Sequence, residues 1–191
     1  MELNKIYNES NLDTMAKMPD NFIDLTVTSP PYDNLRDYKG YSFPFEDIAK
    51  ELYRVTKEGG VLVWVVGDAV IDGTESGTSF KQALYFKEVG FYLHDTMIYE
   101  KNGAAYPAND KSNRYSQVFE YMFVLSKGKP KTYNLLKDRK NRWAGATNFG
   151  TPSTRKQNGE TGKSEAFVVA EYGYRNNIWK YNNGAGYSSK D

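Results

Sequence analysis

The sequence predicts an α/β fold, in which a largely parallel sheet carries flanking helices and ends in an antiparallel edge. Three features predict it. A short β-branched apolar run, Phe22 to Val27, stops at the turn-forming Ser29-Pro30-Pro31. A helically spaced apolar set between Phe45 and Val55 leads into Val61-Leu62-Val63-Trp64-Val65-Val66, apolar at every position. Two further runs rich in Tyr, Phe, Val and Ile, residues 91–100 and 117–126, flank a polar loop.

Taken in order, the first run reads as a buried strand. Phe45, Ile48, Ala49, Leu52 and Val55 then share one helical face, and Lys57-Glu58-Gly59-Gly60 supplies a glycine stop for that helix. The all-apolar Val61 to Val66 is the pattern of a strand covered on both faces, which makes the centre of the chain a β-α-β unit. A second helix is expected from Ser79 to Glu88, ending at Gly90, after the polar loop 72–78. Residues 91–100 and 117–126 are expected to pair antiparallel at the sheet edge. Beyond Lys127 the pattern dissolves into Gly, Ser, Thr, Asn and basic residues until 175–181, a last short strand. The division expected is a core over 1–126, a basic loop region over 127–175, and a short strand with a tail over 176–191.

Composition narrows the chemistry. A chain of 191 residues fits one domain with a large inserted loop. With no cysteine and one histidine, disulfides, thiolate metal sites and cysteine nucleophiles are excluded, and no metal site is expected. No apolar run nears the roughly 18 residues that span a bilayer, and Met1 to Lys5 has no signal-peptide pattern, so a cytoplasmic protein without membrane contact is expected. Sixteen Tyr and ten Phe suit base stacking or a wet interface. Net charge is only +1, but Lys127 to Lys163 holds ten Lys and Arg against two acids, a local +8 that leaves −7 elsewhere. Trp143, Phe149 and Tyr133 interleave with those charges as on a surface that contacts nucleic acid.

The loop after the first strand carries the chemistry. Pro30 and Pro31 have no N–H, so nearby carbonyls are left to face an outside donor. In an open α/β sheet, ligands bind beyond the carboxyl ends of the strands, where this loop falls. Such an acceptor-rich site suits methylation of a base's exocyclic amine, whose lone pair is delocalised into the ring. The hydroxyl of Ser29 and the carbonyl of Pro30 would accept the amine's hydrogens, favour a pyramidal nitrogen, and leave Tyr32 to stack on the base. The base would first be flipped out, at a cost of about a few kcal/mol, of which stacking returns roughly 1–3 kcal/mol.

Thr28-Ser29-Pro30-Pro31-Tyr32 at the end of an apolar strand resembles the catalytic motif of the DNA amino-methyltransferases acting on cytosine N4 or adenine N6, in the permuted order that puts this motif first. The approach through Ile6-Tyr7-Asn8, Leu12, Met18-Pro19-Asp20 and Ile23-Asp24-Leu25 is similar to the family's, as are Asn34-Leu35-Arg36-Asp37-Tyr38, Gly67-Asp68 and Phe119-Glu120 followed by Val124 to Gly128. The resemblance implies a Rossmann-like methyltransferase sheet and S-adenosyl-L-methionine as methyl donor. It implies double-stranded DNA as partner, base flipping and a place in restriction-modification. It casts Ser29, Pro30, Pro31 and Tyr32 as catalytic, Asn11, Ser29 and Pro30 as cofactor contacts, and Lys137, Arg139, Lys140, Arg142, Arg155 and Lys156 as DNA contacts in the target-recognition region. Ser at the first motif position favours cytosine over adenine and argues against a protein-glutamine substrate.

The likeness fails at one place. Family members with this order carry an Asp-Pro-Phe-x-Gly-x-Gly-Thr cofactor loop near the C-terminus, and this chain has none. Asn183-Gly184-Ala185-Gly186, its nearest glycine cluster, reads as tail. Glu9-Ser10 also stands where the family often has Gly-Asp. The expected sheet is therefore incomplete, and a C-terminal segment or completing subunit is expected to supply the rest. The rival reading is a non-catalytic DNA-binding or regulatory fragment that depends on a partner for cofactor; an RNA substrate is a third. Asp68 reads as a turn former, His94 as structural, and Glu120 as facing solvent on an edge strand.

Overall fold

The computed structural model describes residues 2–31, 43–104, 107–148, 154–155, 157–162 and 166–182, with backbone alone at 148, 154 and 155. Two compact units divide the chain, one of residues 1–133 with 177–191 and one of residues 134–176.

In the first unit, helix α1 (Asn11–Ala16) precedes strand β1 (Ile23–Thr28), helix α2 (Phe45–Val55) and strand β2 (Thr56–Val66). A small hairpin, β3 (Val70–Ile71) with β4 (Thr74–Glu75), leads to helix α3 (Thr78–Val89) and to strands β5 (Tyr92–Lys101) and β6 (Phe119–Ser126). In the second unit lie β7 (Arg139–Lys140), β8 (Thr147–Asn148), β9 (Thr154–Arg155), β10 (Thr161–Gly162), β11 (Phe167–Val168) and β12 (Tyr172–Gly173). Strand β13 (Ile178–Tyr181) returns to the first unit.

The α/β expectation holds, and the sheet is mixed. Its order is β1-β2-β6-β5-β13, with parallel pairing at β1/β2 and β5/β13 and antiparallel pairing at β2/β6 and β5/β6. The 91–100 and 117–126 runs do pair antiparallel, but not at the edge. β6 is the central strand, because β13 adds itself outside β5.

Lys57 to Gly60, expected to stop the helix, belongs to β2 instead. The helix ends one residue earlier at Thr56, whose extended backbone breaks the spiral and whose hydroxyl donates to Leu52 O at 2.6 Å. Gly59, at φ +79°, then bends the strand so that its N–H reaches Lys127 O at 2.6 Å. α3 does end at Gly90, where φ of +125° is open only to glycine.

The core lies on one face of this sheet. Leu62, Trp64 and Val66 of β2 and Phe123 and Leu125 of β6 meet Ile48, Ala49, Leu52 and Val55 of α2 and Phe86 of α3. Phe86 is edge-on to Trp64 at 5.0 Å and to Phe91 at 5.6 Å. Trp64 donates its indole N–H to Gln82 Oε1 at 2.8 Å, so this buried donor is satisfied. The opposite face differs from the expectation of a strand covered twice. Val61, Val63 and Val65 are only partly covered, and Leu25 and Val27 are 57% and 65% exposed.

The second unit is not patternless. β7 pairs with β12, β8 with β11 and β9 with β10, all antiparallel, which makes three nested rungs of one long hairpin. Each rung spans only two residues per strand, too short for a period of two to register in the sequence. Among the described residues no helix is long and apolar enough to cross a membrane, and no group of three His, Cys, Asp or Glu is placed to hold a metal ion.

Candidate active site and nucleic-acid surface

Loops converge at the carboxyl end of β1 and β2. Register fixes this: Thr28 lies opposite Trp64, and Val66 lies opposite Tyr121 near the start of the antiparallel β6. Residues 29–31, the 67–77 connection and the 102–118 loop therefore leave the same end of the sheet.

Pro30 is buried, Pro31 half-buried and Ser29 exposed. Pro30 lies on a cavity of about 420 Å³ together with Asn11, Thr14, Thr28, Phe43 and Trp64. The structure thus brings Asn11 and Pro30, far apart in sequence, to one cavity of a size common for small ligands. Ser29 is not among its lining residues. Tyr32, the remaining catalytic expectation, lies outside the described residues, as do Asn34 to Tyr38 and Asn183 to Gly186. Phe43 and Trp64 were missed as cavity residues. Trp64 carried no signal of it, since an all-apolar strand says nothing about which side chain borders a ligand.

α1, which presents Asn11, is tied down by charge rather than by a long apolar face. Arg54 of α2 reaches back with Nη1 to Met18 O at 2.9 Å and Asp20 Oδ1 at 2.7 Å, and with Nη2 to Met15 O and Glu51 Oε2, both at 2.7 Å. The hydrogen bond from Arg54 holds Glu51 below the usual carboxylate range, and the same contacts hold the guanidinium above its own usual value. Glu9, which stands with Ser10 where the family often has Gly-Asp, accepts from Thr14 Oγ1 at 2.8 Å and Lys17 Nζ at 2.6 Å. The Lys17 bond first, and the Thr14 bond after it, hold this carboxyl below its usual range, and both occupy it in fastening the start of α1.

Asp68 lies just after β2 and is bound to the start of α3. Its carboxylate accepts from the N–H of Ser79 at 2.9 Å and from the Ser79 hydroxyl at 2.5 Å, meeting an open donor in the first turn of α3. His94 is exposed at a register shift between Leu93 and Asp95. Glu120 does not face solvent at an edge: it sits on the central strand, its side chain 15% exposed, and pairs with Lys101 at 2.5 Å. Tyr121 beside it is pushed above the ordinary phenol value by burial, with Asp68 and Glu75 adding to the effect.

The expected DNA contacts Lys137, Arg139, Lys140 and Arg142 all lie on the first arm of the hairpin and are exposed. Arg139 Nε donates to Tyr174 O at 3.0 Å, Lys137 stands over the Tyr174 ring at 5.7 Å, and Arg142 over the Trp143 ring at 5.3 Å. Arg155 lies in β9 opposite Thr161, with only its backbone described. Lys156, like Phe149, falls outside the described residues.

Known proteins similar to this chain point the same way. The model of a DNA methylase family, the N6 and N4 methyltransferases, matches residues 23–191. The orphan methyltransferase M.BamHII of Bacillus amyloliquefaciens is 60% identical over 170 residues, which are 88% of this chain and 63% of that protein. The type II methyltransferase M.BglII of Bacillus subtilis is 28% identical over 137 residues, covering 64% of this chain and 38% of the relative. This chain therefore spans less than two thirds of either. Among solved structures, the cytosine-N4-specific PvuII DNA methyltransferase superposes with a TM-score of 0.56 at 22% identity, over 65% of this chain and 50% of the other, which is a likeness of fold.

Proposed function

The chain belongs to the N6 and N4 DNA methylase family, and from that premise we propose that it forms the base-binding half of an enzyme that methylates the exocyclic amine of a flipped DNA base. S-adenosyl-L-methionine is the family's methyl donor, and cytosine N4 is the amine proposed ahead of adenine N6 because Ser29 opens the motif. The observation that carries the reading is Pro30, buried at the carboxyl end of β1 on a cavity it shares with Asn11. A base amine brought beside Pro30 would meet a residue that has a carbonyl to accept and no N–H to donate, which is what an amine about to lose its ring conjugation requires.

The cavity fits one end of the donor molecule. Its walls at Met15, Phe43 and Trp64 are apolar, while Asn11 adds a polar amide to the lining. Asn11 and Pro30 would hold the donor, which supplies an electrophilic methyl group when bound. The chain's own work falls on the amine. Ser29 Oγ and the Pro30 carbonyl accept its two hydrogens, which localises the lone pair on nitrogen, and Tyr32 stacks on the base plane. These contacts strengthen as the nitrogen becomes pyramidal, so they act on turnover more than on binding. The hairpin arm with Lys137, Arg139, Lys140 and Arg142 holds phosphates and keeps the duplex in register.

A second reading, a DNA-binding fragment without activity of its own, is favoured by the exposed basic arm that carries Lys137, Arg139, Lys140 and Arg142. One assay separates the two. Chain and DNA are incubated with labelled methyl donor, with and without the part of M.BamHII that lies outside the match, and the DNA is digested to nucleosides. Label in N4-methylcytosine only when the added part is present supports the proposal; label in adenine overturns the base assignment, and no label in either arm supports the fragment.

A further inference from the structure

Extruding a base from a duplex leaves a gap, and the bases on either side of it lose a stacking partner. A side chain that enters the gap restores part of that stacking, and apolar or aromatic wedges between base steps do this. The loop between β5 and β6 carries one tyrosine suited to it. Tyr115 is fully exposed, and its ring makes no hydrogen bond or ring contact among the described residues. A single exposed tyrosine carries no meaning alone. The chain around this one, however, is fastened on both sides. Arg114 donates from Nη2 to Gly73 O and lies 3.8 Å from Glu75. Ser116 Oγ accepts from the N–H of Ala108 at 2.8 Å, and Gln117 Nε2 donates to Phe119 O at 3.0 Å. Ahead of it, Ser112 N–H reaches Asn109 O at 2.8 Å while Ser112 Oγ accepts from Asn109 N–H at 2.9 Å. The ring is thus carried by a held backbone and has no slot of its own.

Position adds to this. The loop leaves the sheet at the end that carries Pro30, and β6 lies two strand spacings from β1, about 10 Å, within the roughly 12 Å width of a major groove. A duplex that presents a base at Pro30 therefore also meets this loop. Arg114 and Tyr115 line a cavity of about 460 Å³ together with Gly67 and Asp68, which follow β2. The carboxylates of that cavity are engaged, Asp68 by Ser79, Glu75 by Arg114 and Glu120 by Lys101, so they do not stand as bare charges against phosphate. We propose that Tyr115 enters the duplex when the target base leaves it, and stacks in the vacated place while the base lies at Pro30. It is a positioning residue that touches DNA beside the target and takes no part in methyl transfer. The inference rests on the proposed base flipping for its purpose and is independent of which base is methylated.

The test supplies the gap in advance and omits the methyl donor. Two duplexes of one sequence are compared at low salt, one intact and one with a single abasic site, beside which 2-aminopurine reports stacking by loss of fluorescence. The full chain should bind the gapped duplex about tenfold tighter than the intact one and quench the 2-aminopurine. Tyr115→Ala should lose both the preference and the quenching, while its circular dichroism, its affinity for intact duplex and the salt slope stay as in the parent, because the ring is already exposed. Tyr115→Phe should keep both. Tyr92→Ala, at an exposed tyrosine where β5 begins at the far end of the sheet, should behave as the parent chain. Equal affinity of the parent chain for the two duplexes, or a preference that survives Tyr115→Ala, would overturn the proposal. A chain that shows the preference but never labels DNA would leave this inference standing and count against the proposed methylation alone. Methylation without any preference for the gap would do the reverse.

Discussion

The sheet unit and the hairpin unit use aromatic side chains in opposite ways. In the sheet unit Trp64, Phe86 and Phe91 are buried and meet edge to face, so their rings are fixed by packing on all sides. In the hairpin Trp143 is 67% exposed and Phe167 55%, and the rings of Trp143 and Tyr174 lie against cations, Arg142 and Lys137. A ring held by a core contributes to stability; an exposed ring flanked by positive charge is ready for a base or sugar face and a phosphate. Under the proposed function the two units divide one task, the first serving the chemistry and the second the polymer.

The sharpest way to break that division is to remove one tryptophan from each unit. Trp64→Ala should cost about 3–5 kcal/mol of stability in urea unfolding, as truncation of a large buried aromatic does. Trp143→Ala should cost about 0.5 kcal/mol or less and instead weaken DNA binding. Equal destabilisation by the two would show the hairpin aromatics to be core. Next in size is Ser29→Ala, which removes one acceptor at an exposed position and should lower kcat about ten- to a hundredfold, the equivalent of a strong hydrogen bond of roughly 1.5–3 kcal/mol. DNA affinity should barely move. A matching drop in affinity would place Ser29 in docking rather than in catalysis.

Charge removal in the hairpin should give the reverse pattern. Replacing Lys137, Lys140 and Arg142 by Gln should flatten the plot of log affinity against log salt by about 0.9 for each phosphate no longer neutralised, read from binding isotherms at several salt concentrations. An unchanged slope would remove the hairpin from the DNA surface.

How far each unit could be read in advance follows from the same contrast. The sheet unit was legible wherever packing imposes a period. Phe45, Ile48, Ala49, Leu52 and Val55 gave α2 with its bounds, and the prolines after Thr28 placed the motif at a strand end. Lys57 to Gly60 misled because Gly-Gly after a helix fits a stop as well as the bend in a long strand, and only the bond to Lys127 decides between them. The centrality of β6 was hidden because β13 is separated from it by the whole hairpin. Within the site, the motif named Pro30, yet nothing local joined it to Phe43 or Trp64. The hairpin rungs carry no period at all, since two residues per strand are too few to show an alternation.

The smallest expected effect compares one arginine from each unit. Arg54 ties α1 to α2 through two backbone carbonyls and two carboxylates, whereas Arg175 pairs at the hairpin base with Asp138, which it holds below the usual carboxylate range. Glu51 is held below its ordinary value of 4.5, so the stability it contributes is complete above that value and disappears as pH falls through the lowered one. Because Arg54 keeps its proton throughout, acidification below about pH 5 through that lowered range should remove the modest stability this pair contributes. Arg54→Met should abolish that part of the acid loss and also lower stability at neutral pH, since Met18 O loses the guanidinium and Met15 O keeps only backbone N–H donors. Arg175→Met should change the acid profile less than Arg54→Met, because its pair with Asp138 is more exposed to solvent. If Arg54→Met proved as acid-sensitive as the parent chain, α1 and the Asn11 it presents would be held by the apolar packing of Met15 and Leu12. The cavity beside Pro30 would then depend on packing rather than charge.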